Sequence, residues 1–119
     1  MHRRIDSVRP SREKGEIQGR IAHIDHFGNL ITTIPLSLVP DLFTAPRASA
    51  VFPTRSASSQ FPAPIERRHT FFARSGEDGV PFLYGDSSGY VGIAVRNDSA
   101  ARMLGVDYGT KVTLVIAGE

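Results

Sequence analysis

Residues 16–34 read EIQGRIAHIDHFGNLITTI, and this stretch decides the fold. Its first ten residues alternate between apolar and polar side chains, which predicts a β-strand ending near Asp25. A turn follows at 26–29, because Gly and Asn tolerate positive φ. The run 30–34, rich in Ile and Thr, predicts a second strand that Pro35 ends. One face of the first strand is expected to carry Ile17, Gly19, Ile21 and His23.

Similar signals continue along the chain. Strands are predicted at 48–52, 69–74, 81–85, 90–95 and 111–117, with turns at 75–79 and 86–89. A short helix is predicted at about 98–104, with Asn97 or Asp98 as its N-cap and Gly105 at its end. Six to seven short strands with one short helix predict an all-β fold, either a small antiparallel β-barrel or a sandwich, and we adopt the barrel.

Length and composition indicate one globular domain. The chain has 119 residues, of which 40% are hydrophobic and 22% charged. We interpret 1–15 as a flexible basic arm, 16–119 as a single barrel domain, and 44–64 as a loop rich in Pro and Ser within that domain. The sequence has no cysteine, which excludes disulfides, zinc–thiolate sites and iron–sulfur clusters.

Basic residues are concentrated in the first part of the chain. Residues 1–74 hold eleven Lys or Arg against six Asp or Glu, whereas 75–119 hold three against six. A basic barrel that binds nucleic acid is one interpretation. We prefer a solvated arm and loop, because no exposed aromatic residues interleave with the basic ones as an RNA-binding sheet requires. No apolar run is long enough to cross a bilayer and no secretory signal is apparent, so we expect a cytoplasmic protein without membrane contact.

Two clusters contain residue types used in metal binding or catalysis. His23 and Asp25 are predicted on one face and could start a metal site, but the turn displaces His26. A fourth ligand would have to be His69 or a distant carboxylate. The serines of the 86–89 turn would need a strand–turn–helix elbow to act in a catalytic triad, and none surrounds them. We therefore predict neither a metal site nor a catalytic residue.

Three segments carry groups suited to ligand binding. Asp25 and Asn29 can close the turn between them or bind a ligand, and the Asn29 amide offers both a donor and an acceptor. The polar tip 85–90 offers amides and hydroxyls to an anion. Asn97 and Asp98 stand at a helix start, where free amides favour an anion or a heterocycle nitrogen. Each segment also has a purely structural interpretation, as a turn or a cap.

The order of these motifs resembles one known family. The blocks are IDHFGNLIT at 24–32, SSGYV at 87–91, IAV at 93–95, SAA at 99–101 and LG at 104–105. Together they are similar to the C-terminal domain of the S-adenosyl-L-methionine (SAM) hydroxide adenosyltransferases, which are relatives of the SAM-dependent fluorinase and chlorinase. The resemblance covers about 15–117.

This resemblance implies a function for the chain. Enzymes of the family act as trimers, and their N-terminal domain supplies the catalytic aspartate. Their C-terminal β-barrel holds the adenine and part of the methionine of SAM, which water converts into adenosine and L-methionine. Because the N-terminal domain lies outside the resemblance, we expect these residues to bind SAM or adenosine, without a cofactor, as a homo-oligomer beside a separately encoded catalytic domain. By themselves they are not expected to be active.

The resemblance also implies binding residues for the methionine end of the ligand. Asp25 matches the acid that pairs with the methionine ammonium, which is a charge-assisted hydrogen bond. Ser87 matches the hydroxyl near the methionine carboxylate, and Ser88 lies beside it.

For the adenine end, Asn29 matches the residue that hydrogen-bonds the base. Phe27 would wall the pocket, and Phe72 would stack on the base. Arg96 and Asn97 lie in the backbone stretch that reads the adenine edge.

Four residues depart from the family pattern: Thr33 replaces Asn, Gly92 replaces Glu, Arg96 replaces Asn, and Thr110 replaces the acid of the closing Gly-Asp-x-Val. Two alternative functions therefore remain open. One is a non-catalytic module that binds adenine or SAM or serves in assembly, and the other is the basic nucleic-acid-binding barrel.

Overall fold

The structure is a computed structural model that describes residues 12–52, 64–69 and 78–117. Within these ranges the chain forms eight strands and one α-helix. They are β1 (Arg12–Glu13), β2 (Glu16–Ile24), β3 (Leu30–Pro35), β4 (Arg47–Val51), β5 (Arg67–His69), β6 (Pro81–Gly85), β7 (Tyr90–Val95), α1 (Ala100–Leu104) and β8 (Lys111–Ala117), with a 3-10 helix (Leu36–Leu38) after β3. The predicted all-β class is confirmed.

The strands form one sheet that curls into a nearly closed barrel. Its order is β4-β8-β2-β3-β7-β6-β5, and β1 pairs with β2. Ala50 and Ile65 link the two ends of this order, because the backbone N–H of each donates to the carbonyl of the other at 2.9 Å. Closure satisfies backbone groups that a free edge would leave unpaired. Among the described strands, β5 and β6 form the one parallel pair, whereas the other pairs are antiparallel.

The interior of the barrel is the main core. Alternate residues of each strand point inward, as the period of two requires. Side chains that are fully buried there include Ile17, Ile21, Leu30, Ile34, Leu83, Ile93 and Leu114. Helix α1 adds Ala100 and Leu104 to the same cluster.

A second buried cluster lies on the opposite, outer face of β3, β6 and β7. It consists of Ile31, Phe82, Tyr84 and Ala94. These residues alternate with core residues along their strands, so β6 and β7 are buried on both faces. We call this side of the three strands the outer face.

The regular pairing of β3 with β7 is interrupted before Pro35, and the hydroxyl of Thr32 takes the place of the missing backbone partners there. The register with β7 shifts between Ile31 and Pro35. The buried Thr32 hydroxyl donates to the Val91 carbonyl at 2.9 Å and accepts from the Ile34 N–H at 3.1 Å. The interruption therefore leaves these two buried backbone groups satisfied.

Strand β2 carries a bulge that the alternating pattern did not predict. Its register with β3 shifts between Ile21 and His23. The extra residue turns His23 out to the solvent, so its predicted place on the face of Ile17 and Ile21 is wrong. Ile24 packs against the core instead.

Further differences from the sequence prediction concern the arm, the helix cap and β5. Arg12 and Glu13, assigned to the arm, pair with β2, and Arg12 forms a bidentate ion pair with Asp41 at 2.7 and 2.8 Å. The hydroxyl of Ser99 caps α1 by accepting from Arg102 N–H, so the predicted caps Asn97 and Asp98 are wrong.

The remaining difference concerns β5. It ends at His69, where the predicted strand 69–74 begins, and 70–77 lie outside the described residues. In the described ranges, no helix has the length and apolar character needed to cross a membrane.

The Thr32 hydroxyl is expected to contribute measurably to stability. Thr32→Val keeps the shape but leaves the Ile34 N–H and the Val91 carbonyl without their partner. We expect the free energy of unfolding to fall by about 1–3 kcal/mol, measured by urea denaturation. Thr113→Val, on the outward side of β8, is the matched control, and an equal loss there would contradict the role of the Thr32 hydroxyl.

Candidate functional site

One tip of the outer face is the turn between β2 and β3. Asp25 N–H donates to the Asn29 carbonyl at 3.0 Å, and Gly28 N–H donates to the Asp25 carbonyl at 2.9 Å. The Asp25 carboxylate closes this turn from within. Its Oδ1 accepts from Phe27 N–H at 2.8 Å and Asn29 N–H at 3.0 Å, and its Oδ2 accepts from Asn29 Nδ2 at 3.0 Å. Asp25 therefore satisfies three N–H groups of its own turn.

Helix α1 anchors this turn. The carbonyl of Gly28 accepts from Ala101 N–H at 2.9 Å. Gly28 has φ of +87°, and a Cβ at this position would collide with the Ser99 hydroxyl, so only glycine fits. Asn29 beside it is buried. The backbone of the turn is therefore held against the start of the helix.

Phe27 projects from the same turn. It is 73% exposed. Its ring forms a T-shaped contact with the His26 ring, and the two ring centroids are 5.3 Å apart. An exposed ring at this tip is available to contact a ligand or a partner chain.

The turn between β6 and β7 repeats the same pattern. Asp86 N–H donates to the Tyr90 carbonyl at 2.9 Å, and Gly89 N–H donates to the Asp86 carbonyl at 2.9 Å. Asp86 Oδ2 accepts from Ser88 N–H at 3.0 Å. Gly89 has φ of +94°. We call this turn and that at 25–28 the two D-x-x-G turns, and both are hairpin turns in which glycine takes the left-handed position.

Arg96 and Asn97 lie in the loop between β7 and α1. Asp98 N–H donates to the Val95 carbonyl at 3.3 Å, and Asn97 takes φ of +62°. Both predicted side chains meet Asp78: Arg96 Nε lies 3.4 Å and Asn97 Nδ2 3.1 Å from its Oδ1. The two side chains therefore brace the loop.

The register of β3 and β7 decides which predicted residues meet. Leu30 is opposite Ile93, and Pro35 is opposite Tyr90. The first D-x-x-G turn, with Asp25, Phe27 and Asn29, therefore lies beside the loop of Arg96 and Asn97.

The other predicted residues lie at the far end of the outer face. Ser87 and Ser88 are exposed in the second D-x-x-G turn, at the other end of β7. The strand rise puts about 17 Å between the two ends of β7. Leu36 N–H fixes the second turn by donating to the Gly89 carbonyl at 2.9 Å.

Tyr84 fills the middle of the outer face. The pairing places Ile31, Gly92 and Tyr84 side by side on β3, β7 and β6. A Cβ at position 92 would lie 2.6 Å from Cε1 and Cζ of the Tyr84 ring. The ring therefore lies across Gly92, which explains why this position holds no side chain.

Carboxylates surround the Tyr84 hydroxyl. It donates to Asp86 Oδ1 at 3.3 Å. Burial, reinforced by the nearby charges of Asp86 and Asp25, raises the pKa of Tyr84 far above its ordinary value. Burial also acts against ionisation of Asp86, but hydrogen bonds from Ser88 and Tyr84 outweigh it and lower the pKa of the Asp86 carboxyl, with a further contribution from His23.

Two residues of this face were missed by the sequence analysis. Asp86 and Tyr84 connect the second D-x-x-G turn to the centre of the outer face. The signal for Asp86 was present, because D-x-x-G at 86–89 has the same spacing as D-x-x-G at 25–28. Phe72 lies outside the described residues. In the described ranges, no three His, Asp or Glu side chains come together as metal ligands would.

Comparisons with known proteins agree with this fold. Residues 19–113 match the family described as SAM hydroxide adenosyltransferase C-terminal domain. The chain is similar to the crystal structure of an uncharacterized conserved protein from Thermotoga maritima, with a TM-score of 0.70 and 21% identity over 97% of this chain and 40% of that one.

It is also similar to the crystal structure of a conserved hypothetical protein from Thermus thermophilus. There the TM-score is 0.54 and the identity 28%, over 82% of this chain and 32% of that one. The chain thus spans less than half the length of either protein. No curated protein matches the sequence.

The buried phenol predicts a loss of stability in alkali. Because folding raises the pKa of Tyr84, its contribution is complete below the unfolded value of about 10 and is lost as the pH rises above it. Above that pH, ionisation of Tyr84 on unfolding should lower the free energy of unfolding of the wild type by about 1.4 kcal/mol per pH unit, and Tyr84→Phe should remove this contribution. Urea denaturation at a series of pH values measures this slope. The same change from Tyr108→Phe, at a 59% exposed position, would contradict the argument from burial.

Proposed function

The chain belongs to the SAM hydroxide adenosyltransferase C-terminal domain family, and from this membership we propose that it is the adenosyl-binding part of a SAM hydroxide adenosyltransferase. The observation that carries the proposal is the family match over residues 19–113. The reaction would convert SAM and water into adenosine and L-methionine.

The outer face supports a ligand with one heterocyclic end and one amino-acid end. At one end of β7, the Asn29 amide and the loop of Arg96 and Asn97 offer donors and acceptors, which suits the edge of adenine. The hydroxyls of Ser87 and Ser88 are exposed at the other end. Because an α-amino acid carries its ammonium and its carboxylate on one carbon, one methionine cannot reach both Asp25 and Ser87 across the length of β7, and the proposal assigns the amino-acid end to Asp25. In this proposal Phe27 covers the adenine end, and Phe72 stacks on the base.

The carboxylate of Asp25 would bind the methionine ammonium. Its Oδ1 already accepts two N–H groups and its Oδ2 one, so a single acceptor position remains on Oδ2. A hydrogen bond from an ammonium to this oxygen would be charge-assisted and therefore among the stronger kinds. The turn also holds the carboxylate in place before the ligand arrives, which reduces the entropy lost on binding.

The groups that activate water would come from a catalytic N-terminal domain. Displacement at the ribose carbon requires an aligned nucleophile and exclusion of bulk water. The proposed residues grip the two ends of SAM and leave its reacting centre for a partner surface to cover. The exposed ring of Phe27 supports such a partner, and a trimer would supply it from a neighbouring subunit.

Reconstitution tests the proposed reaction. Mixing the 119-residue chain with the N-terminal domain of a family member should release adenosine and methionine from SAM, measured by liquid chromatography. The N-terminal domain alone is the control. If the chain binds SAM but adds no turnover, the non-catalytic binding module replaces the proposed enzyme part.

The adenine contact can be tested separately. Asn29→Ala removes the amide proposed to bind the base, and we expect the affinity for adenosine to fall about fivefold, as the loss of roughly 1 kcal/mol of hydrogen bonding implies. Calorimetry with adenosine measures this. Gln18→Ala, an exposed amide on β2, is the control, and equal losses in both variants would contradict the assignment of Asn29.

A further inference from the structure

We propose that residues 65–69, which we call the strap, open separately from the rest of the barrel and that an adenine ligand on the outer face holds them closed. The strap consists of Ile65 and Glu66 followed by β5. Ile65 pairs with Ala50 on one side, and β5 pairs with β6 on the other. Separate opening depends on contacts within the fold, whereas closure by a ligand rests on the proposed function.

The strap has few attachments to its neighbours. Among the described residues, the pair of Ala50 and Ile65 is the one backbone link between the two ends of the sheet. On the other side, β5 pairs with β6 over three residues, in a parallel arrangement that is slightly less stable per residue than an antiparallel one. By comparison, β2 pairs with β8 over five residues. Opening the strap therefore breaks a small part of the ladder, as expected of a local unfolding unit.

Arg68 favours the closed strap. Its Nη1 donates to the carbonyls of Leu42 and Ala45, both at 2.9 Å, in the segment that leads into β4. Hydrogen bonds from a charged donor are stronger than neutral ones. Ile65 adds its buried side chain to the main core. Opening the strap would break all of these contacts, and they therefore oppose it.

His69 has the opposite effect. It lies beside Tyr84 in the register of β5 with β6, and its ring forms a T-shaped contact with that of Phe82, with centroids 4.9 Å apart, so it faces the outer side of the sheet. Its Nε2 is buried and has no hydrogen-bond partner among the described residues. A buried polar atom without a partner is destabilising, and water would satisfy it when the strap opens. The closed strap is therefore stabilised through Arg68 and destabilised through His69.

A ligand on the outer face would favour the closed strap. Through its contact with Phe82 and its place beside Tyr84, His69 forms one border of that face. In the proposed function Phe72 stacks on the adenine base, and Phe72 follows His69 by three residues in the chain. A base bound in this way limits how far the end of the strap can move. A ligand that binds the closed strap alone must lower the population of the open one.

Hydrogen exchange measured by NMR on the full chain tests the separate opening. The reference is the amide of the buried Ile21, which donates to the Thr110 carbonyl at 2.9 Å. The amides of Ala50 and Ile65 are equally buried and donate at the same distance. Burial and hydrogen bonding alone predict equal protection, whereas a separate strap predicts protection factors at least about tenfold lower at Ala50 and Ile65. Equal protection at the three amides would overturn the proposal.

A variant in the body of the barrel separates local from global opening. Ile34, on β3, packs so close to Gly19 of β2 that a Cβ there would lie 2.7 Å from its Cγ1. Ile34→Val should lower the protection of Ile21 about fivefold and leave that of Ile65 unchanged, because opening the strap leaves this part of the core intact. An equal loss at both amides would show that Ile65 exchanges by global unfolding, and the strap would then be wrong.

Two variants of the strap should act on Ile65 in opposite directions. Arg68→Met removes the guanidinium and should lower the protection of Ile65 about tenfold. His69→Phe keeps a ring in place and removes the buried Nε2, so it should raise the protection about fivefold. Arg47→Met, at an exposed position of β4, is the matched control and should leave the protection unchanged. No change in Arg68→Met, or a loss in His69→Phe, would contradict these roles.

Adenosine tests closure by a ligand. Because unfolding releases the ligand, saturating adenosine should raise the protection of Ile21, and it should raise that of Ile65 by the same factor when binding requires the closed strap. A rise at Ile21 alone would overturn closure by the ligand and leave the proposed function standing. A rise at neither amide would show that the chain does not bind adenosine, which overturns the proposed function and closure together. The exchange of the free chain then still decides whether the strap opens separately.

Discussion

A carboxylate that accepts backbone N–H groups inside a tight turn is the constraint on which the rest of this structure depends. Asp25 and Asp86 each close a D-x-x-G turn, and each turn sets the register of a hairpin. Register in turn decides which side chains share a face, because a slip of one residue would exchange the core for the outside. The outer face exists in its present form because both hairpins are fixed at their tips.

On the outer face, the large ring of Tyr84 packs over Gly92, a position that has no side chain. Tyr84 on β6 lies across Gly92 on β7, so the ring reaches toward β3 and its hydroxyl reaches Asp86. A side chain at 92 would displace the ring and with it the hydrogen bond. One departure from the family pattern, Gly where Glu is common, therefore has a physical counterpart on the neighbouring strand.

Much of the fold was predictable because local signals agreed with tertiary packing. The bounds of β6, β7 and β8 match the predicted strands, since each has a clear run of β-forming residues between turns. Predictions failed where a long-range contact decided. The bulge in β2 turns the His23 side chain to the other face. Ser99, which packs against Gly28 of the turn between β2 and β3, caps the helix in place of Asn97 or Asp98. The binding roles of Asp25, Asn29 and Ser87 stay predictions.

By itself, the sequence determined the fold class, the two turns and the family, because alternation, turn residues and motif order are properties of neighbouring positions. Only the tertiary structure decided that Asp25, Asn29 and the loop of Arg96 share one end of a sheet while Ser87 takes the other. It also joined Tyr84 to Asp86. These relations depend on the pairing of β3, β6 and β7, and pairing between distant strands is set by packing and closure of the barrel, which no local pattern records.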